Sequence, residues 1–184
     1  MKKTLLSTAM EYKELDLYCN NSDNTARFVL GKRSDKPLYA IALNPSTADD
    51  VTPDATVRKL MKFAEENGFN SFVLFNLYPL RATKPHALPK DMECDEMLLT
   101  QNIEKIAKLI PNDAIILACW GSNINIRKYL RRSLSLIAKE LENKNCNWVA
   151  AGLTVCEDPV HLARAAYGEF IKFDFDNYVQ HLNL

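Results

Sequence analysis

The sequence lacks an excess of charge of either sign. Its 23 lysine and arginine residues balance 23 aspartate and glutamate residues, so the formal net charge at pH 7 is zero. This balance excludes a basic nucleic-acid coat protein and an acidic solvating tail. Hydrophobic residues make up 47% of the chain and charged residues 25%, which excludes a wholly disordered polypeptide. The composition still allows a local basic face.

Clusters of metal-binding residues are also missing. The five cysteines are scattered with no C-x-x-C pair, and the three histidines form no H-x-x-x-H or H-E-x-x-H motif. A disulfide framework or a zinc site needs tighter clustering, so we expect no metal and a reducing, cytoplasmic environment. The chain has neither a G-x-G-x-x-G nor a G-x-S-x-G motif, and we expect no bound cofactor.

Long hydrophobic runs are absent as well. No stretch approaches the roughly 18 apolar residues of a membrane helix. The N-terminal segment MKKTLLSTAM combines lysines with a short apolar run, but acidic residues follow at once, which argues against a signal peptide. We therefore expect no membrane association. The sequence leaves the oligomeric state open.

What the sequence does contain is an alternation of strand-like and helix-like segments. LDLYC and ARFVLGK flank a cluster of turn formers and predict an N-terminal hairpin. Four apolar runs predict buried strands at 37–43, 71–77, 114–121 and 147–155. Helical spacing of apolar residues predicts helices at about 53–67, 96–109 and 125–141. EFIKFDF, near the C-terminus, predicts a fifth strand or an irregular edge.

This alternation predicts an α/β fold, because strand–helix–strand units build parallel sheets covered by helices. We expect a three-layer α/β/α arrangement with a mostly parallel central sheet and the N-terminal antiparallel hairpin at one edge. The length predicts a single domain over residues 1–184. Within it we expect an edge hairpin in 1–35, an α/β core in 36–165 and a C-terminal extension in 166–184.

Polar residues follow each of the four predicted core strands. They are Asn44, Pro45, Ser46, Thr47 and Asp49 after the first, Asn76, Tyr78 and Arg81 after the second, Trp120, Gly121 and Ser122 after the third, and Thr154 and His161 after the fourth. In open parallel sheets, ligands bind outside the C-terminal ends of the strands. These residues are therefore predicted to line one pocket, with the tryptophan stacking on a flat ring and the glycine allowing close approach.

Each of these residues also has a structural interpretation. Asn44 and Pro45 form a common turn sequence, a lone Trp such as Trp120 is more often a core residue than a stacking platform, and Arg81 can pair with a surface acid. A buried Asn76 needs several hydrogen bonds, so it either holds a neighbouring loop or faces a ligand. His161 lies in a polar loop, where a structural and a functional role are equally compatible with the pattern.

The order of the motifs resembles a bacterial and phage family of unknown function, family 1643. The resemblance runs from about residue 27 to 161 and is carried by IALNPSTADD, PDATVRKLMKFAEENGF, VLFNLYPLRATKPHAL, CWGSN and DPVH. The family usually ends in a G-x-P-x-H-P-L-like string. Here EDPVHLARAAYG keeps His161 but lacks the proline after it.

A more distant similarity is to the uracil-DNA glycosylase superfamily. It rests on an Asn-Pro after the first core strand, a Trp-Gly after a middle strand and a histidine loop after the last. The resemblance implies a uracil-DNA glycosylase-like fold and hydrolysis of an N-glycosidic bond. It also implies that Asn44 orients the water and that His161 stabilises charge on the departing base.

Such a reaction needs a positioned water, a pocket for a planar base and stabilisation of the leaving group. The residue types present fit these roles: Asn44, Asp49 or Asp54 for the water, Trp120, Tyr78 and Asn76 for the base, and His161 or Arg81 for the leaving group.

Two hypotheses follow from the sequence. The first is a glycosylase-like hydrolase acting on a nucleobase in nucleic acid or in a free nucleotide. The second is a non-catalytic module that binds a nucleotide or a small anion in the same cleft. The placement of five basic residues discriminates between partners: Arg58, Lys59, Arg81, Arg127 and Arg131. A ring of them around the cleft predicts a polynucleotide, and their dispersal predicts a small ligand.

Overall fold

A seven-stranded sheet forms the centre of the protein, with the strand order β1-β2-β4-β3-β5-β6-β7. The computed structural model describes residues 10–182, so most of MKKTLLSTAM lies outside the described residues. The strands are β1 (Leu17–Asn20), β2 (Arg27–Gly31), β3 (Pro37–Ala42), β4 (Ser71–Asn76), β5 (Ile115–Ala118), β6 (Asn147–Ala150) and β7 (Ile171–Lys172). The helices are α1 (Ala55–Glu66), α2 (Glu96–Leu109), α3 (Lys128–Leu141) and α4 (Phe175–Gln180).

The four central strands run parallel. β3 pairs in parallel with both β4 and β5, and β5 pairs in parallel with β6. The β1–β2 hairpin is antiparallel and joins the sheet beside β4, while β7 adds antiparallel to β6 at the opposite edge. The predicted α/β class, the mostly parallel centre and the N-terminal edge hairpin are confirmed.

Helices cover both faces of the sheet. Alternate side chains along each strand point to opposite sides, so each face carries apolar residues that a helix can bury. Leu38 and Ala40 of β3 pack in one cluster with Leu60 of α1. Ile41 of the same strand packs in the other cluster, with Leu134 of α3. The sheet is therefore the middle layer between α1 on one face and α2 with α3 on the other.

The helices begin where the sequence supplies caps. Asp54 accepts a hydrogen bond from the Val57 amide at 2.9 Å at the start of α1, and Asp95 accepts one from the Leu98 amide at 3.0 Å at the start of α2. These side chains satisfy amides that have no partner within the helix. The third helix begins three residues later than predicted, since residues 122–126 form a 3-10 turn first.

The long proline-rich segment after β4 is a loop. Between β4 and α2 it contains only two short 3-10 turns, at 85–87 and 91–93. Arg127 fixes this loop: its Nε donates to the Pro89 carbonyl at 2.7 Å and its Nη2 to the Leu88 carbonyl at 2.9 Å. Arg127 is thus used in holding the loop.

The C-terminal segment is packed into the body of the protein. Phe173 and Phe175 are buried in the cluster that also contains Trp120 and Trp148. The Phe175 ring stacks on Trp148 with a centroid separation of 3.6 Å and an interplanar angle of 9°. The predicted fifth strand is the two-residue edge strand β7 within this segment.

Within residues 10–182, no helix has the length and apolar character needed to cross a bilayer.

Candidate functional site

A polar pocket of about 390 Å³ lies at the C-terminal ends of the parallel strands. This volume is in the range of small-molecule sites, about 300–1,000 Å³. Seven residues predicted from sequence line it: Asn44, Ser46, Asn76, Gly121, Ser122, Thr154 and His161. Further polar residues on the lining are Arg27, Asp54, Thr56, Thr83, Asn123 and Arg164. The strand ends therefore meet in one concavity.

Asn76 is the last residue of β4, and its side chain is buried without a partner. Only 1% of the residue is exposed, and neither Nδ2 nor Oδ1 has a hydrogen-bond partner among residues 10–182. Its backbone carbonyl, in contrast, accepts from Asn102 Nδ2 at 2.8 Å. An unpaired buried polar group costs about 1–3 kcal/mol, and native proteins contain few of them. Asn76 thus holds a free donor and a free acceptor at the pocket wall.

Arg27, the first residue of β2, brings a buried positive charge to the same pocket. It is 1% exposed and its Nη1 donates to the Ala48 carbonyl at 2.9 Å. Its Nε has no partner in the described part of the chain. Burial, and then the neighbouring Arg81 charge, lower the pKa of Arg27 to about 10, while Asp54 opposes this shift. The guanidinium therefore remains protonated at neutral pH.

The amide of Asn44 is held in one orientation. Its Nδ2 donates to the Ala82 carbonyl at 2.7 Å and to the Pro45 carbonyl at 2.9 Å. Both donor positions are therefore used, and Oδ1 is the polar atom of this pocket-lining side chain that is left to accept a hydrogen bond. The Asn-Pro sequence begins the loop after β3 and presents a fixed acceptor to the pocket.

Asp54 supplies the only carboxylate on the pocket lining within the described residues. As the cap of α1, its Oδ1 accepts from the Val57 amide, and its Oδ2 accepts from the Ala48 amide at 3.4 Å. No three or more His, Cys, Asp or Glu side chains of residues 10–182 are grouped to hold a metal ion. The acid–base groups of the pocket are therefore Asp54 and His161.

His161 is held as a neutral imidazole with a defined tautomer. Its Nδ1 accepts a hydrogen bond from the Ala163 amide at 3.2 Å, which leaves the proton on Nε2. Burial, followed by the positive charges of Arg164 and Lys59, holds the pKa of His161 below its usual value. The Nε2–H group is a hydrogen-bond donor at neutral pH.

The loops after β5 and β6 meet beside His161. Gly121 has φ +69°, and a Cβ at this position would lie 3.0 Å from the His161 Cβ. Ser122 Oγ donates to Thr154 Oγ1 at 3.4 Å, and the same Thr154 oxygen accepts from the Asp158 amide at 3.2 Å. These contacts join the two loops at the pocket lining.

Asp49, predicted as a catalytic residue, lies outside the pocket lining and closes a turn. Its Oδ1 accepts from the Thr52 amide at 2.6 Å and from the Val51 amide at 2.9 Å. These hydrogen bonds hold the pKa of Asp49 below its usual value. The structure places Asp54, five residues later, at the pocket instead.

The two predicted aromatic residues are core residues on the other face of the sheet. Trp120 is fully buried, and its Nε1 donates to Tyr178 Oη at 3.3 Å. Tyr78 is 1% exposed, its Oη accepts from the Asp95 amide at 3.1 Å, and burial raises its pKa to about 12. Both residues belong to the hydrophobic cluster on the side of the sheet that α2 and α3 cover. Neither ring lines the pocket.

Arg81 positions the loop after β3, which carries Asn44 and Pro45. Its Nη1 donates to the Ser46 carbonyl at 2.8 Å and to the Ala48 carbonyl at 2.9 Å. Pro45 and Thr47 lie in this loop but not on the pocket lining. Arg81 thus holds this loop in place without lining the pocket itself.

The five basic residues whose placement distinguishes a polynucleotide from a small ligand are dispersed. None of Arg58, Lys59, Arg81, Arg127 and Arg131 lines the pocket. The Lys59 ammonium donates to the Ala165 carbonyl. Arg58 and Arg131 line separate surface grooves. This arrangement matches a small ligand better than a polynucleotide.

Sequence reasoning missed Arg27 and Arg164. Arg27 had a signal, since a charged residue opens an otherwise apolar strand, ARFVL. Lysine and arginine are almost never fully buried unless they are paired. Arg164 had none, because the sequence LARAAYG around it has no periodic pattern.

The fold and the pocket define an α/β protein with a polar cleft at the C-terminal edge of its parallel strands, where ligands bind in open sheets. The family model described as "Protein of unknown function (DUF1643)" matches residues 27–161. The chain belongs to this family, as the motif order indicated. A search of curated proteins and a search of solved structures find no match to the chain.

Proposed function

We propose that the pocket binds the base of a nucleoside or nucleotide and hydrolyses its N-glycosidic bond. One observation carries the proposal: the buried amide of Asn76 has an unused donor and an unused acceptor at the pocket wall. Three features support a uracil-DNA glycosylase-like fold: the three-layer arrangement with the sheet in the middle, the Asn-Pro sequence after β3 and the histidine after β6.

The Asn76 amide suits a nucleobase edge. Bases present adjacent hydrogen-bond donors and acceptors, and an amide pairs with such an edge through two bonds. The unpaired Nε–H of Arg27 adds a second donor from the neighbouring strand. Val57, Leu74 and Val160 supply apolar walls for the ring faces. Because the polar groups are already buried, a ligand that leaves them unpaired gains little affinity.

The water would be oriented by Asn44 and activated by Asp54. Oδ1 of Asn44 accepts one hydrogen bond from the water, and the Asp54 carboxylate accepts its proton. The hydroxide oxygen then bonds to the anomeric carbon as the carbon–nitrogen bond breaks. The electron pair leaves with the base. Asp54 releases the proton that it took from the water to solvent, and the base takes up a proton from solvent at nitrogen, which gives the free base and the sugar.

His161 would stabilise the departing base. As its electron pair is released, negative charge develops on the base, and a neutral Nε2–H donor stabilises that charge without first losing a proton. The hydrogen bond from the Ala163 amide to Nδ1 fixes the ring for this role.

A second candidate is binding without turnover. One observation favours it: both Asp54 oxygens already accept backbone hydrogen bonds, as expected of a helix cap. In this case the pocket recognises a nucleotide, and Asp54 is only a helix cap.

The experiment is a base-release assay on the purified protein with nucleosides, nucleoside monophosphates and DNA, followed by chromatography, alongside binding by calorimetry. Asn44→Ala and Asp54→Asn are expected to abolish release but retain binding. Asp49→Asn is the matched carboxylate control and is expected to retain both. Binding without release in the wild type supports the second candidate, and absence of binding of any base ligand contradicts both.

A further inference from the structure

Positive charge exceeds negative charge on the pocket lining. Arg27 and Arg164 face one carboxylate, that of Asp54, within the described residues. Burial first, and then the charge of Arg164, hold the pKa of His161 below its usual value, while Asp54 opposes this shift. The site therefore favours a ligand that carries negative charge.

At the buried end of the pocket, Asp54 is a nearby negative charge for the Arg27 cation, but the two form no ion pair in the described structure. Arg27 forms no salt bridge with a carboxylate of residues 10–182. The nearby Asp54 is engaged by the Val57 and Ala48 amides. A buried charge without a paired charge is expensive, and a bound anion offsets that cost.

The open end of the pocket holds a free guanidinium. Arg164 is exposed, and its side chain forms no hydrogen bond or ion pair in the described structure. Lys59, in contrast, is engaged by the Ala165 carbonyl and lies over the Tyr167 ring at 5.2 Å. Arg164 is thus the group available to a ligand at the mouth, three residues after His161.

We infer that the substrate is a nucleoside monophosphate, with its base at Asn76 and its phosphate at Arg164. This inference rests on the proposed function and names its substrate class. Guanidinium groups bind phosphate oxygens through paired hydrogen bonds, and Arg27 adds favourable potential from the buried end. A nucleic-acid strand needs a basic track beyond the pocket, but the other basic residues are dispersed.

Calorimetry with the common nucleosides and their 5′-monophosphates tests the inference. For the wild type we expect the monophosphate to bind at least tenfold tighter than the nucleoside of the same base. Arg164→Gln is expected to remove most of this difference. Arg132→Gln is the matched control, because Arg132 lies on α3 and pairs with Glu96 at the surface; it is expected to preserve the difference. Neither exposed side chain is part of the core.

The remaining outcomes separate the two proposals. Equal affinity for nucleoside and monophosphate overturns the phosphate assignment and leaves the base pocket intact. Tighter binding of a single-stranded oligonucleotide, with steep salt dependence, overturns it in favour of a polynucleotide. Inorganic phosphate alone is a further probe: thermal stabilisation that is lost in Arg164→Gln, without binding of any base, retains the anion site and contradicts the proposed function. No response to phosphate or to nucleotides contradicts both.

Discussion

Three asparagines of this protein show how the surroundings of a side chain determine its role. Asn44 uses both amide hydrogens to hold the loop after β3, and Asn102 donates to the carbonyl of Asn76 from helix α2. Asn76 is as buried as Asn102 and more buried than Asn44, but its side chain has no partner within residues 10–182. The first two amides stabilise the fold, whereas the third is unfavourable for the fold until something binds.

This difference is testable with two matched substitutions. Asn76→Leu is expected to leave the free energy of unfolding unchanged or to raise it by about 1 kcal/mol, because an unsatisfied buried amide is replaced by a similar apolar volume. Asn102→Leu is expected to lower it by about 1–3 kcal/mol, because the buried Asn76 carbonyl loses the hydrogen bond from Asn102 Nδ2. Urea unfolding measures both. Similar losses in the two variants would show that Asn76 is structural.

His161 makes a prediction about pH. Its pKa in the folded state lies below the usual value of 6.5, mainly through burial, so the unfolded chain binds more protons at this site. Protonation of His161 therefore does not affect the free energy of unfolding above about pH 6.5. Below this pH the unfolded chain takes up the proton first, so stability is lost as the pH falls toward the folded-state pKa. His161→Gln is expected to reduce the loss of stability between pH 7 and pH 5, measured by urea unfolding. His86→Gln, at an exposed position, is the control, and an identical pH profile for wild type and His161→Gln would contradict the assignment.

At the scale of the secondary-structure elements, the site is assembled from loops that follow parallel strands. Arg81 holds the loop after β3, Arg127 holds the loop after β4, and Gly121 lets the loop after β5 pass close to His161. The strands fix where each loop begins, and these contacts fix where it goes.

Gly121→Ala tests this coupling between loops. The backbone at φ +69° disfavours a side chain by about 1–2 kcal/mol, and the added Cβ would also press against His161. We expect a loss of stability of this size together with a loss of ligand binding. Gly168→Ala also introduces a Cβ at a positive φ, +157°, but into open space. That variant is expected to lose stability only, so unimpaired binding in Gly121→Ala would show that the loop contact does not shape the site.

At the scale of the whole molecule, the C-terminal segment belongs to the core rather than to a separate tail. β7 extends the sheet beside β6, and Tyr178 of α4 donates to Asp158 at 2.7 Å, close to the loop of His161. The segment predicted as an extension therefore links the far edge of the sheet to the site.

Phe175→Ala measures how strongly this segment is attached. Removal of a buried aromatic ring that stacks on Trp148 is expected to cost about 3–5 kcal/mol in the free energy of unfolding. Ile171→Ala lies in the same segment but is exposed, and it is expected to cost less than about 1 kcal/mol. Chemical denaturation compares them. Equal, small effects would mean that the segment docks only loosely.

The amino-acid pattern was sufficient to predict the strands and helices and the points where polar groups leave the strands. Continuous apolar runs located the core strands, helical spacing located the helices, and the strand ends identified Asn44, Asn76 and His161. Which of these groups share the pocket became clear from the folded structure alone. Alternate residues of a strand face opposite layers, so Asn76 reaches the pocket face while Trp120 enters the core behind it. The alternation assigns residues to two faces without saying which face is open, and that depends on how the helices and loops cover each side. Arg27 likewise could not be assigned to the pocket from the sequence, because it reaches the pocket only through the pairing of the N-terminal hairpin beside β4.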